Sequence, residues 1–257
     1  MNTNQLRIDL NADLAESVER LADGSDAELM RYISSANVAC GAHAGDAVTM
    51  EQTLELAQSL GVAVGAHPGY PDRQNFGRVA LDMPHADLTS VIHDQLSELA
   101  TIAQRLGIPI VHVKPHGALY HSCNADAEVA RAVCRAVLAV DSHLIMVGQA
   151  SSACLAVYRE MGLRTVSEAF ADRAYEADGS LRSRKLHGSL LEDPSAAALQ
   201  AENIVLRGVV VTTSTSELPV HAETLCMHSD TPGAATIARA VRERLTAAGV
   251  QIRPLVK

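Results

Sequence analysis

The sequence has few aromatic residues and no tryptophan. Of its 257 residues, 3% are aromatic and 47% are hydrophobic. A core must therefore be built mainly from Ala, Val, Leu and Ile, which suits helices packed on parallel strands. A chain of this length can form one α/β barrel or two ordinary domains.

Basic residues are also scarce. The formal net charge is −9 and the pI is about 5.6, whereas nucleic-acid-binding surfaces carry clustered Lys and Arg. The stretch MNTNQLRIDLNADLAE has no basic segment followed by an apolar one, and no apolar run approaches the ~20 residues that span a bilayer. We therefore expect a cytoplasmic protein with no nucleic-acid partner and no membrane contact.

Several well-known motifs are missing. The five cysteines include no CxxC pair, which argues against a disulfide framework or a zinc knuckle. There is no GxxxxGK[ST], no GxGxxG after the first strand, no HExxH and no GxSxG. If the protein uses a nucleotide, the sequence does not show how.

What the sequence does contain is a regular alternation of short apolar runs and longer segments of helical period. This alternation is typical of β-α units around a parallel sheet. Seven strands are predicted, at Leu6–Ala12, Ala36–Gly41, Val62–His67, Ile110–Pro115, Leu144–Gly148, Arg164–Glu168 and Thr224–His228. Helices are predicted at Ala47–Leu60, Asp87–Leu106, Ala125–Val140, Ser151–Met161, Pro194–Leu206 and Pro232–Ala248. We predict one β/α-barrel domain over residues 1–257, with a long polar loop over residues 173–191 and a small hairpin insertion at about 208–222.

Polar clusters follow nearly every predicted strand. In a parallel barrel the carboxyl ends of the strands form the active face. The side chains found there are Asp13, Glu16, His43, Asp46, His67, Lys114, His116, Glu168, Asp172, Arg173, His228 and Asp230. Histidines at four different strand ends are unlikely to coincide by chance, so the pattern predicts a functional site at this face.

Side-chain parity extends the prediction into the barrel, because successive residues of a strand point to opposite faces. In the first strand Asp9, Asn11 and Asp13 share the face opposite its apolar residues, and in the fourth His112, Lys114 and His116 do the same. Since the apolar face must meet the helices, the polar face must point inward. Buried unpaired charge is costly, so a polar interior indicates a deep, specific site.

Plainer interpretations remain for some of these residues. Lys114 could be only a buried counter-ion to Asp9 or Asp13, and Asp172 with Arg173 could be a loop salt bridge or a clamp for an anionic substrate. Asp13 with His43 and His67 would suit a divalent cation. The residues alone do not decide whether a metal is bound.

Seven collinear stretches carry a resemblance to a known family. They are DLNADLAE, SANVACGAHAGD, GVAVGAHPGYPD, FGR, VHVKPHGALY, FADRAY and CMHSDTPGA, spread from about Ile8 to Ala248. Together they resemble the LamB/YcsF family. Departures are local: Ala12 and Ala15 stand where the family usually has Cys and Gly, Ala42 where it has Phe, and Ser229 where it has Gly.

The resemblance implies a seven-stranded barrel akin to the glycoside hydrolase/deacetylase fold. It further implies the role of the A subunit in an ATP-hydrolysing 5-oxoprolinase, which opens 5-oxoproline to glutamate. Two other subunits, resembling the halves of allophanate hydrolase, would be its partners. ATP would be the co-substrate, used together with those partners. The resemblance leaves open whether a divalent cation is also bound.

We assign roles to the site residues as a hypothesis. Asp13 or His116 would activate water, Lys114 and Arg173 would stabilise negative charge, and His43, His67 and His228 would relay protons or hold a cation. Substrate-binding positions would be Asp9, Asn11, Asp46, Asp172, Arg173 and Asp230. Two alternatives stay open: a metal-dependent amide or acetyl hydrolase that acts alone, and a non-catalytic subunit that binds the lactam.

Overall fold

The computed structural model describes residues 6–256 of the chain. Its strands, numbered in chain order, are β1 Arg7–Leu14, β2 Ser35–Ala39, β3 Ala63–His67, β4 Ile110–Val113, β5 Ile145–Gln149, β6 Arg164–Phe170, β7 Val209–Val211, β8 Glu217–Pro219, β9 Thr224–His228 and β10 Gln251–Ile252. The helices are α1 Val18–Ala22, α2 Ser25–Met30, α3 Ala47–Leu60, α4 His85–Leu106, α5 Gly117–Ala125, α6 Ala127–Val140, α7 Cys154–Glu160, α8 Pro194–Glu202 and α9 Ala234–Ala247. A π-helical turn, Asn203–Arg207, continues α8.

Seven of these strands close into a parallel barrel. They follow the order β1-β2-β3-β4-β5-β6-β9, and β9 pairs with β1 to complete the ring. Strand β10 adds to the start of β1 outside the ring, at Arg7 and Ile8. The predicted fold class, a seven-stranded parallel β/α barrel, is confirmed.

The hydrophobic core lies between the barrel and its helices. Leu10 and Ala12 of β1 are fully buried there, as are Met50 and Leu54 on the inward face of α3. Burial of such a leucine contributes about 1.5–3 kcal/mol relative to exposure. The apolar strand residues point outward into this core. The strand residues that alternate with them point into the barrel, and these are polar.

Two segments lie apart from the barrel wall. Strands β7 and β8 form an antiparallel pair within residues 208–222. The polar segment over residues 173–191 contains isolated bridges, Arg173 with Leu190 and Tyr175 with Leu181. Within residues 6–256, no helix is both long enough and apolar enough to cross a membrane.

Some predicted boundaries are wrong, for identifiable reasons. The segment predicted as one helix, Ala125–Val140, is preceded by a separate helix, α5, and Asp126 caps the start of α6. Helix α7 begins at Cys154, later than predicted, because Ser151 has a positive φ of 65° and lies in a turn. The predictions for α3 and β9 match the structure.

Candidate active site

A cavity of about 450 Å³ opens at the carboxyl ends of the barrel strands. Its wall combines strand-end side chains with residues of two loops. The charged and imidazole groups that line it are Asp13, Glu16, His67, Arg78, Lys114, His116, His121, Arg173, Arg184, Lys185, His228 and Asp230. A cavity of this size suits a small polar molecule.

Lys114 lies at the inner end of the cavity. Its Nζ atom is 3.1 Å from Asp13 Oδ1, 3.0 Å from Glu168 Oε1 and 3.0 Å from Cys226 Sγ. Burial by itself lowers the pKa of a lysine, but the attraction of Asp13 and its other neighbours raises the pKa of Lys114 well above its ordinary value. The ammonium group is therefore charged and held between two carboxylates.

Asp13 is charged as well. Burial raises the pKa of its carboxyl group, but attraction to His67 and Lys114 outweighs burial and keeps that pKa well below its ordinary value. Its Oδ1 atom also accepts a hydrogen bond of 2.8 Å from Asn37. Asp13 thus connects the lysine to the histidines nearer the mouth.

A ladder of polar side chains fills the barrel beneath Lys114, as parity predicts. Asn37 donates to Asn11 Oδ1 over 2.7 Å, and His112 Nε2 lies 2.7 Å from Asn37 Oδ1. Asn11 donates to Glu168 over 3.0 Å and to Thr224 over 2.7 Å. These bonds fix the carboxylates around Lys114 from below.

Asp9 closes the bottom of this ladder. It accepts hydrogen bonds from Ser34 at 2.7 Å, Ser35 at 2.6 Å and Thr224 at 2.5 Å. Burial raises the pKa of Asp9 to about 6 in spite of these hydroxyl donors. Asp9 does not line the cavity, so the structure gives it a supporting position beneath the site.

Three histidines and Glu16 form a second group beside Asp13. His67 Nε2 is 3.3 Å from Asp13 Oδ2, His116 Nδ1 is 3.0 Å from His67 Nε2, and Glu16 Oε1 is 3.3 Å from His116 Nδ1. His43 stacks on His116 with ring centroids 3.8 Å apart, and its Nε2 is 3.5 Å from Glu16 Oε1. Burial lowers the pKa of His43 to about 3, so this imidazole is neutral.

Glu16 reaches this group through an unusual turn of the backbone. Ala15 has a positive φ of 60°, a left-handed conformation that costs a residue with a Cβ atom roughly 1 kcal/mol or more. A glycine, which has no Cβ atom, would adopt this conformation without that cost. The turn brings Glu16 back over the end of β1, where its side chain contributes to the cavity.

His228 is held by Asp172. Its Nδ1 lies 3.0 Å from Asp172 Oδ1, while Asp172 Oδ2 accepts from the His228 main-chain N–H and from Thr231. Burial raises the pKa of Asp172, but attraction to His228 lowers it overall. Because the carboxylate takes the hydrogen of Nδ1, Nε2 is the nitrogen available for proton transfer.

Arginines from two loops meet at the rim. Arg78 and Arg184 both donate to Asp230, over 2.5 Å and 3.0 Å. Arg173 instead donates to the main-chain carbonyl oxygens of Ser189 and Arg182. Among the charged cavity-lining residues, five cations face three carboxylates, so the mouth favours an anion although the chain as a whole is acidic.

The structure brings together most of the predicted site residues. The side chain of Asp230 lies at the rim of the cavity. Six others line its wall: Asp13, His67, Lys114, His116, Arg173 and His228. His43, Asn11, Asp9 and Asp172 lie behind these residues and orient them.

Asp46 is separate from the site. It is exposed and caps α3, accepting from the Thr49 main-chain N–H over 2.8 Å. The carboxylate predicted to bind substrate thus caps a helix and does not line the cavity, so substrate binding by Asp46 stays a prediction. The D-x-x-T spacing before an apolar helix is the sequence signal that indicates this cap.

Other residues of the site carry no role in the sequence prediction. Glu16, Asn37, Glu168 and Cys226 bond to its members, and Arg78 and Arg184 form its rim. Parity alone would have placed Asn37 inward, since it alternates with the apolar residues of β2. Arg78 and Arg184 come from loops, for which parity gives no information.

Within residues 6–256, two groups of side chains could hold a metal ion. One contains Glu16, His67 and His116, and the other contains Asp13, Cys226 and His228. In the second group the Lys114 ammonium already lies 3.1 Å from Asp13 and 3.0 Å from Cys226, so a cation is present. His43, which the sequence suggested as a ligand, lies behind His116.

The fold and site define a class: a closed seven-strand β/α barrel with acid–base side chains collected at the carboxyl ends of its strands. The chain belongs to the LamB/YcsF family, whose model matches residues 8–257. It is 48% identical over 248 residues to the A subunit of 5-oxoprolinase from Chloroflexus aggregans, covering 96% of this chain and 98% of that protein. It is 43% identical over 248 residues to the A subunit of 5-oxoprolinase from Acinetobacter baylyi, with the same coverage.

A solved structure agrees with this relationship. The lactam utilization protein from Thermus thermophilus superposes with a TM-score of 0.90 at 42% identity, covering 96% of this chain and 99% of that one. A cellobiose-phosphate cleavage protein from Enterococcus faecalis, described as putative by those who solved it, shares the fold alone, with a TM-score of 0.53 at 12% identity.

Proposed function

We propose that this protein is the hydrolytic A subunit of an ATP-dependent 5-oxoprolinase, which converts 5-oxo-L-proline to L-glutamate. The observation that carries the proposal is the convergence of Asp13, Lys114 and His228 on one small cavity with a cationic rim. Relatives named as the A subunit of 5-oxoprolinase, matched along nearly their whole length, support it.

The chemistry explains why ATP is needed. A five-membered lactam is stabilised by amide resonance, and its amine is a poor leaving group. Transfer of a phosphoryl group to the lactam oxygen makes the carbonyl carbon electrophilic. Water then adds to that carbon, the ring C–N bond breaks as the amine takes up a proton, and a second water releases phosphate from the resulting acyl phosphate.

The cavity supplies a group for each step. Asp13 or His116 takes a proton from the attacking water, and Lys114 stabilises the negative charge that forms on oxygen. His228, oriented by Asp172, gives a proton to the departing amine. Arg173 binds the carboxylate or the phosphoryl group at the mouth, as an arginine fork commonly does.

In this proposal, ATP is bound by partner chains and not by this one. The sequence has no GxxxxGK[ST] motif, so we assign ATP binding to partner subunits, two chains that resemble the halves of allophanate hydrolase. ATP is then a co-substrate of the complex.

The test measures glutamate release from 5-oxoproline by this chain alone, then with the two partner subunits and ATP. We expect release only in the complete mixture. Asp172→Asn should lower kcat by about 10²–10⁴-fold, because His228 loses its orientation, with a smaller change in KM. Asp94→Asn, an exposed position on α4, serves as the matched control. Absence of glutamate in every combination would refute the proposal.

A metal-dependent amide hydrolase that acts alone is the second candidate. It is favoured by the histidine and carboxylate group around Glu16. Amide or acetyl hydrolysis without ATP or partners, abolished by a chelator, would identify it. If Asp13→Ala, Lys114→Ala and His116→Ala all retained turnover in the complete mixture, the chain would instead be a lactam-binding subunit.

A further inference from the structure

We propose that the mouth of the barrel binds one divalent transition-metal ion through two imidazole nitrogens and one carboxylate oxygen, supplied by His67, His116 and Glu16. The site is argued from the hydrogen bonds of these residues and holds whether or not the substrate is a lactam.

The first step concerns which ring nitrogens carry hydrogen. His67 Nδ1 lies 2.7 Å from the main-chain oxygen of Lys114, and His116 Nε2 lies 2.8 Å from that of Phe76. A carbonyl oxygen only accepts, so each of these nitrogens must be the donor. A neutral imidazole has a single N–H, so His67 Nε2 and His116 Nδ1 are then lone-pair acceptors.

These two acceptors face each other and two carboxylates. They are 3.0 Å apart, with Asp13 Oδ2 3.3 Å from the His67 nitrogen and Glu16 Oε1 3.3 Å from the His116 nitrogen. Glu16 Oε1 is buried, and within the described part of the chain no donor forms a hydrogen bond of normal geometry with it. When both imidazoles are neutral, these buried acceptors have no donor between them and repel one another. Burial lowers the pKa of His67, but attraction to Asp13 raises it overall, so either a proton on His67 or a metal ion removes that repulsion.

The spacing fits a metal ion. Two ligand atoms that are each about 2.1 Å from one ion lie about 3.0 Å apart at a right angle and about 3.4 Å apart at a tetrahedral angle. Among the three ligand atoms, His116 Nδ1 is 3.0 Å from His67 Nε2 and 3.3 Å from Glu16 Oε1, and His67 Nε2 is 3.9 Å from Glu16 Oε1. All three distances lie below the about 4.2 Å that two ligands of one such ion can span.

The surroundings fit as well. A metal-bound histidine almost always donates its other N–H to a carbonyl or a carboxylate, as both histidines do here. A mixture of imidazole and carboxylate ligands suits Zn²⁺, Mn²⁺, Fe²⁺ or Co²⁺ better than Mg²⁺ or Ca²⁺, which prefer oxygen. A bound ion of this kind would lower the pKa of a coordinated water in the cavity.

The experiment uses the full chain, freed of metal by dialysis against a chelator. Zn²⁺ and Mn²⁺ binding is measured by titration calorimetry and by elemental analysis after gel filtration, and the visible spectrum is recorded with Co²⁺. We expect one ion per chain and cobalt absorption bands typical of nitrogen ligands. His67→Gln and His116→Gln should each weaken binding by more than about 100-fold, and Glu16→Gln by at least about 10-fold. His143→Gln, an exposed histidine, should bind as the unmodified chain does.

Binding of less than stoichiometric metal, or equal affinity in the control and in the His116 variant, would overturn the proposal. So would nitrogen NMR showing that both nitrogens of His67 carry hydrogen when Zn²⁺ is in excess, because a proton would then hold the cluster together. If the histidine variants fail to fold, as judged by circular dichroism, the nearly isosteric Glu16→Gln variant and the cobalt spectrum decide the question. None of these measurements requires lactam, ATP or a partner, so the metal site and the proposed function can fail separately.

Discussion

Replacement of Lys114 by methionine tests whether its charge holds the interior of the barrel together. Methionine has a similar length and no charge, so the variant removes the ammonium group with little change in packing. The two carboxylates beside it, Asp13 at 3.1 Å and Glu168 at 3.0 Å, then lose their common cation. We expect Lys114→Met to fold with a much lower free energy of unfolding.

The magnitude follows from the geometry. At an effective dielectric constant of about 20, unit charges about 3 Å apart attract by about 5 kcal/mol. Two such attractions are lost, but the cost of burying the ammonium disappears and a carboxylate can take up a proton. The net loss should be about 3–5 kcal/mol, as when one partner of a buried pair is removed.

Urea unfolding followed by circular dichroism measures this loss. The loss should be greatest at pH 8 and smaller at pH 4.5. In the unmodified chain Asp13 stays ionised at both pH values, because the stability that its low pKa provides is lost only as the pH falls below its unfolded pKa toward the low folded-state value. In the variant the buried carboxylates can take up a proton at the lower pH, which reduces the loss. Lys185→Met, at an exposed lysine, is the control and should stay within about 0.5 kcal/mol of the unmodified chain. A loss below about 1 kcal/mol for Lys114→Met at pH 8 would refute the reasoning.

Two further predictions concern stability. Because the pKa of Asp9 is raised to about 6, its ionisation destabilises the fold as the pH rises from about 4 to about 6. The stability of Asp9→Asn relative to the unmodified chain should therefore increase by about 2–3 kcal/mol between pH 4 and pH 7.5 in urea unfolding; a constant difference would contradict this. A Cβ atom at Gly65 would lie 2.1 Å from His112 Nε2, so Gly65→Ala should lower Tm by roughly 5–10 °C. Adding His112→Ala should recover part of that loss, and an unchanged Tm in the single variant would count against the close approach.

Much of the barrel interior could be predicted because strands alternate strictly. Once Ile8, Leu10 and Ala12 are assigned to the helix side, Asp9 and Asn11 must point inward, and their hydrogen bonds confirm that they do. The same reasoning places Lys114 beside Asp13. This alternation applies only within strands, so it does not predict where the side chains of the connecting loops point.

Glu16 shows why the rest could not be predicted. Its position depends on the positive φ of Ala15, a conformation that alanine rarely adopts and that nothing in a single sequence signals. Helix α5 is a similar case: Pro115 and Gly117 indicate a loop, yet the chain turns directly into the helix at Gly117. Asp46 is the opposite case. The sequence does signal a helix cap there, but the same carboxylate is also a chemically plausible ligand, and the ligand was the role assigned to it.

The closure of the barrel by β9 also sets the order of events in folding. Thr224 donates to Asp9 across 215 residues, and Lys114 reaches Cys226 across 112. Contacts between such distant parts of a chain form late, because they require a large loss of conformational entropy. Until β9 docks, Lys114 and its carboxylates remain hydrated, so no free energy is spent on removing water from these charges. The last strand of the barrel ring to be synthesised, β9, is therefore the one that excludes water from the site and completes it, so the assembled site reports that the barrel has closed.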